Sequence, residues 1–294
     1  MKIIKPDSFD CTTQIRSYDV SLDASIWSAG TYALGDKVIY PDCSGHLYES
    51  AVSSNTSTPG TNTDWTDLGV SNYYAMFDTQ NATQTKNLNA ITFEVDFTAI
   101  VNSIGFINIS GTTLRIEIYE SGGTNIYDET IQLRDYGVSN VWDYYFTSFD
   151  YLENYVAFDI PYTSAGYGKF TLTAETGVDA KIGSLVYGEQ FEIGDTLMDM
   201  SLGIKDFSTI ELDTFGNNTI IKRNYLDTID TNVKVDNVNV QAVKRALTNY
   251  RSTPLVWVAD ENKAYSLTYG IATKFSIQLQ HPAYAYCRLT VQGL

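Results

Sequence analysis

The sequence predicts a mainly β fold, and three observations carry that expectation. Between residues 80 and 190, apolar and polar residues alternate in short runs, with turn residues recurring at intervals of roughly ten. Twenty-two tyrosines and an abundance of Thr, Ser and Asn suit pleated surfaces and the turns between them. Only one segment, late in the chain, carries a helical period. With 294 residues and 44% hydrophobic composition, the chain has length for two or three domains and ample material for their cores.

The elements follow in order. Residues 1–25 read as an N-terminal arm of mixed polarity, in which Gln14, Arg16, Tyr18 and Val20 suit one strand. Residues 26–70 interleave aromatics, glycines and a late proline, the composition of a small β-module built on tight turns and a few large rings. Gly69 to Asn72 is a short polar link, and the apolar density of Tyr73 to Asp78 predicts that something packs on it.

Residues 71–190 predict an antiparallel β-sandwich of the jelly-roll or galactose-binding type. Ile91, Phe93, Val95 and Phe97 alternate with Thr92, Glu94 and Asp96. Leu114, Ile116 and Ile118 repeat the pattern before Gly122-Gly123, and Phe170 with Leu172 repeats it before Gly177. Residues 191–294 predict a β-sheet domain with one helix at about 237–251. Asp236 or Asn237 would cap that helix, Val240, Val243, Leu247 and Tyr250 recur three and four apart, and Thr253-Pro254 stops it. Leu255 to Val258 follows as a buried strand, and Phe215 to Asn218 is a hairpin turn signal.

The net charge of −16 argues against binding nucleic acid, since a phosphate-binding face needs clustered Lys and Arg and the sequence shows no such cluster. Charge is also uneven: residues 1–191 hold 24 acidic and 9 basic side chains, and residues 192–294 hold 11 and 10. This step predicts a boundary near residue 190 and a C-terminal part suited to close contact with neighbours. Cys11, Cys43 and Cys287 are far apart and are expected as free thiols. The N-terminus lacks the apolar run of a secretory signal, and no stretch approaches the roughly 20 apolar residues that span a bilayer. Extracellular surface chemistry without an export signal fits a virus particle, assembled in the host cytoplasm and released by lysis.

Two resemblances add to this reading. Trp27, Tyr32-Ala33-Leu34-Gly35-Asp36-Lys37-Val38, Gly45-His46-Leu47-Tyr48, Pro59 and Trp65 together resemble the chitin-binding modules of bacterial chitinases. Those modules carry adjacent aromatics after the second tyrosine, where this chain has Ala51 to Thr58. Trp27, Tyr32, Tyr48 and Trp65 are therefore expected as a small core. Over nearly the whole chain, the order of that module, Ser71 to Asp78, Ile182 to Gly188, Asp213 to Asn217 and Arg251 to Trp257 looks like a family of tailed-bacteriophage virion proteins. The resemblance implies a structural part of the tail tip, baseplate or adhesin attachment region, and no enzyme.

Chemistry is sparse. His46 and His281, the only two histidines, fall in turn contexts, and no Ser or Cys sits in a nucleophile motif. Glu117 with Glu120, or Asp128 with Glu129, are the carboxylates considered for glycan cleavage and are expected as solvated faces of strands and turns. Asn125, Asp128 and Glu129 offer oxygen ligands without matching a calcium loop, so neither cofactor nor metal is expected. Tyr40, Tyr48, Trp65, Trp142, Tyr144 and Tyr145 are the aromatics expected at a glycan site or a protein interface, with Tyr151 and Tyr155 nearby. Val240, Val243, Leu247, Arg251, Pro254 and Trp257 are expected to dock the C-terminal part on the tail. The partners expected are other tail proteins, further copies of this chain and a host-surface glycan. The alternatives are a carbohydrate-binding protein acting without catalysis and, third, a tail-associated glycan depolymerase.

Overall fold

The alternating run of Ile91, Phe93 and Val95 lies in a strand, Ala90–Asp96, with all three side chains buried. The computed structural model that contains it describes residues 1–41, 45–135, 140–146, 150–162, 165–212, 216, 218–261 and 263–294. It is mainly β, and it divides into a unit of Asp7–Glu189 and a second unit formed by Met1–Pro6 with Gln190–Leu294.

The first unit holds an antiparallel sandwich. One sheet runs Asn125–Gln132, Thr113–Tyr119, Tyr167–Thr173, Ala90–Asp96, Ile15–Tyr18. Facing it, Ser103–Ser110 pairs with Tyr155–Ala157 and with Asp179–Glu192, which also takes Thr85–Leu88. Both inner faces feed one core: Phe170 lies 5.1 Å from Phe93 in its own sheet and 5.4 Å from Phe106 in the other, measured between ring centroids. Each such ring buried stabilises the fold by roughly 1.5–3 kcal/mol.

The aromatic module is a four-stranded sheet in the order Ser25–Ile26, Lys37–Tyr40, His46–Ser50, Trp65–Val70, with only its first pair parallel. One face is packed: Ile39 clusters with Cys11 and Tyr74, joined by Leu47 and Val70. Gly45 permits this approach, because at φ 53° a Cβ there would stand 2.2 Å from the Tyr74 ring. The expected polar link is instead a joint. Ser71 Oγ donates to Asp23, and Asn72 exchanges hydrogen bonds with the backbone of Lys86. Tyr73 to Asp78 is packed as expected, with Met76 buried and Phe77 stacked on Phe9 at 4.0 Å.

Residues 1–25 do not form a single arm. Lys2–Pro6 pairs with Leu255–Val258 in one unit, and Ile15–Tyr18 pairs with Ala90–Asp96 in the other. Cys11 is disulfide-bonded, which corrects the free thiol expected there. Cys287 is a free, buried thiol, and Cys43 lies outside the described residues.

In the second unit the antiparallel order is Lys2–Pro6, Leu255–Val258, Leu267–Gln278, Tyr284–Gly293, Tyr225–Asp236. The helix is Val240–Asn249, shorter than expected at both ends, and its N-cap is Asn239 without a side-chain cap. Asn237 is engaged elsewhere, its Nδ2 donating to the carbonyls of His281 and Pro282. Beyond this sheet, Ser201–Asp206 pairs with the start of Tyr225–Asp236, and Thr209–Leu212 pairs with Asn218–Ile221. Together they form a two-stranded ribbon. Ile204, Ile210, Leu212 and Ile220 on it are 65 to 71% exposed. No helix among the described residues is long and apolar enough to cross a membrane.

Candidate functional site

The face of the module opposite Ile39 and Leu47 gathers aromatic side chains, and strand register explains why. Tyr40 faces His46, Val38 faces Tyr48, and Tyr48 faces Asp67 across the sheet. Side chains two apart share a face, so Tyr40, His46, Tyr48 and Asp67 converge. Trp27 joins them beside Tyr40, edge to face with centroids 5.4 Å apart, and its backbone N–H donates to the Ile39 carbonyl. The His46 and Tyr48 rings lie 6.3 Å apart.

Asp67 is the charged group of this face. Its two carboxylate oxygens lie 2.9 and 3.1 Å from His46 Nδ1, and Oδ1 accepts the Gly69 N–H. Desolvation opposes the charge, yet the Gly69 N–H and the imidazole hold the carboxyl below its usual range. Burial first, then Asp67 and Tyr40, pushes the Tyr48 phenol up, so it stays a neutral hydroxyl at physiological pH. Half-exposed rings, hydroxyls and one carboxylate form a surface that stacks on apolar ring faces and hydrogen-bonds their hydroxyls.

Tyr40 and Tyr48 therefore belong to one site, and Trp65 does not. Trp65 is 5% exposed, edge to face with Tyr32 at 5.3 Å, and its Nε1 donates to the Ser57 carbonyl. The expected core also loses Trp27 and Tyr48, which are half-buried on the outer face. Trp27, His46 and Asp67 are the members that sequence reasoning missed. The spacing of Tyr40, His46 and Tyr48 on neighbouring strands was the available signal.

Trp142 and Tyr145 lie elsewhere, on a short helix, Val141–Phe146. They are 69 and 70% exposed, and the Trp142 ring lies tilted beside Phe146 with centroids 4.3 Å apart. The side chain of Tyr144 lies outside the described residues. Tyr151 donates to Glu175, and Tyr155 packs against the sandwich core, where burial pushes its phenol up to about 12.

The residues expected to dock the C-terminal part are mostly interior. Val243, Leu247 and Trp257 are buried in their own unit, and Trp257 Nε1 donates to the Gly270 carbonyl at 2.9 Å. Val240 packs on the same core and Pro254 is half-buried, which leaves Arg251 exposed. The helical period reports the unit's own packing rather than a partner's footprint. Asp213, Thr214, Phe215 and Asn217 lie outside the described residues.

Three of the four carboxylates considered for catalysis are committed to other bonds, Glu120 is exposed, and Glu117 is buried rather than on the solvated face expected. Glu117 and Asp128 are cross-strand partners, and Arg115 binds both: Nη2 reaches Glu117 at 3.0 Å, and Nε and Nη2 reach Asp128 at 3.0 and 2.8 Å. That side-chain bond holds Asp128 below the usual carboxylate range, which suits neither a general acid nor a base. Glu129 accepts from the Tyr127 hydroxyl, and Asn125 accepts the Tyr127 N–H. Among the described residues, no group of His, Cys, Asp and Glu has the geometry to hold a metal. His281 stacks on Tyr284 at 4.3 Å, and its Nδ1 accepts the Ala283 N–H. No protein-family model, no curated protein and no solved structure matches this chain.

Proposed function

We propose that this chain is a non-enzymatic structural subunit of a bacteriophage tail, at the tip, baseplate or adhesin-attachment region. In this reading the unit of Met1–Pro6 and Gln190–Leu294 assembles with tail proteins and with further copies of the chain, and the acidic unit projects. The exposed ribbon is the observation that supports it best. Ile210 and Ile220 are cross-strand partners on one face, and with Ile204 and Leu212 they leave apolar area in water that assembly removes.

Substitution tests the reading without unfolding the unit, because these side chains contribute little to its core. Particles carrying I204S/I210S/I220S are expected to lack the chain although it accumulates folded in lysates. Normal incorporation of that variant would place the attachment surface elsewhere. Deleting residues 26–70 is a poorer test, since it uncovers Tyr74 and Cys11.

A second reading, carbohydrate binding without catalysis, is favoured by the face of Trp27, Tyr40, His46 and Tyr48. It sits on the projecting unit, so the two readings are compatible: a tail subunit that also touches a host-surface glycan. Glycan-array binding by the full chain, lost in W27A/Y48A with the fold intact, is the expected result. An array without a single hit would remove this second reading.

A further inference from the structure

We propose that a basic concavity on the unit of Met1–Pro6 and Gln190–Leu294 docks the acidic surface of Asp7–Glu189 from a second copy of this chain, joining copies head to tail. The inference deepens the assembly reading above and rests on it for its setting. The concavity measures about 1000 Å³, and Arg251, Lys274 and Arg288 line it. Register places two of them together: Lys274 faces Thr290, and Ser276 faces Arg288, on adjacent strands. Arg251 reaches the same hollow from the loop that follows the helix.

All three cations are exposed, and none forms an ion pair among the described residues. The lining has one acid, Asp230, whose Oδ1 accepts the Thr290 hydroxyl at 2.5 Å. Beside them the sheet has an open edge. In the strand Leu267–Gln278, only Leu267 to Gly270 pairs with Leu255–Val258, so among the described residues Ile271 to Gln278 is bonded on one side alone, by Tyr284–Gly293. Guanidinium forks, an ammonium group and the hydroxyls of Ser252, Thr273 and Ser276 make a donor-rich hollow suited to carboxylates.

Charge selects the occupant. Asp7–Glu189 carries 24 acidic and 7 basic side chains, whereas Met1–Pro6 with Gln190–Leu294 carries 11 and 12. Nearly all the net negative charge therefore lies on one unit, and three unpaired cations share a hollow on the other. Each copy offers one hollow and one acidic surface, a heterologous contact that generates rings or filaments. Repulsion between whole chains opposes it, but screening limits that repulsion to about 8 Å at physiological salt.

The test is sedimentation velocity and native mass spectrometry of the full chain, up to its highest soluble concentration. At about 0.15 M salt the wild type is expected to form concentration-dependent oligomers that weaken at about 1 M. R251E/K274E/R288E is expected to weaken association at least about tenfold with an unchanged far-UV spectrum. K37E/K86E/K181E adds the same net charge on the acidic unit and is expected to associate undiminished. Wild-type oligomers that R251E/K274E/R288E leaves intact would overturn this inference while sparing the assembly reading. A strictly monomeric wild type would overturn it too, and the incorporation assay of the ribbon variant would then judge the assembly reading alone. Saturable binding of inorganic phosphate by a monomeric wild type, lost in R251E/K274E/R288E, would assign the hollow to an external anion instead.

Discussion

Replacing Trp65 with Ala should unfold the aromatic module and leave the sandwich standing. Truncating a buried tryptophan costs about 3–5 kcal/mol, which includes the lost packing against Tyr32. Here it also leaves the Ser57 carbonyl without its donor. At roughly 0.05–0.15 kcal/mol per residue, a module of about 45 residues holds only about 2–7 kcal/mol of its own. The loss is comparable to the whole. Trp65 lies outside the cluster that joins the two sandwich sheets, so the damage should stay local. Hydrogen exchange reads this directly: amides of Lys37–Tyr40 and His46–Ser50 should lose protection, and those of Ala90–Asp96 should keep theirs. Tyr48→Ala, on the outer face, should keep both. Wild-type protection of the module in the Trp65 variant would refute the assignment of that ring to the core.

Three further outcomes are expected. Arg115→Met should lower the denaturant midpoint of the sandwich by stranding the Glu117 carboxylate, and adding Glu117→Gln should recover most of the loss; equal midpoints for wild type and Arg115→Met would contradict this. Because Asp67 has a depressed folded-state pKa, its contribution is present above the ordinary carboxyl value of 3.8 and is lost as pH falls through the lower folded value. Module protection in the wild type should therefore decline below about pH 3.8, while Asp67→Asn starts lower and stays flat there. Burial pushes the Cys287 thiol up to about 11, so iodoacetamide should label it only after unfolding, and rapid native labelling would show the thiol to be accessible.

Much of the sandwich was legible because half-buried antiparallel strands write their burial locally. Ile91, Phe93 and Val95, or Leu114, Ile116 and Ile118, announce an inner face without knowledge of the partner strand. The charge step near residue 190 falls where the fold divides, since composition needs no pairing information. Pairing itself was not legible. Nothing in Lys2 to Pro6 indicates Leu255 to Val258, and nothing near His46 indicates Asp67 across two strands. The residues Val243, Leu247 and Trp257 show a different limit. An apolar stripe at helical spacing reads the same whether it faces its own sheet or another protein, and only burial separates the two. The crowd of aromatics around Trp142 had no period to read, and part of it is a helix of six residues.

The pairing of Lys2–Pro6 with Leu255–Val258 has a consequence for synthesis. The first strand leaves the ribosome about 250 residues before its partner, a delay of about 12–50 s at about 5–20 residues per second. Throughout that wait Ile3 and Ile4, fully buried in the finished protein, lack the neighbouring strand Leu255–Val258. Asp7–Glu189 is complete well before then and can fold around its own core. The pairing of Ile3 and Ile4 with Leu255–Val258 spans about 250 residues and is expected to be slow for that non-local span. A ribosome stalled before Leu255, or a chain clipped there, releases a folded acidic unit in which Ile3 and Ile4 lack their partner strand, an apolar segment prone to adhere.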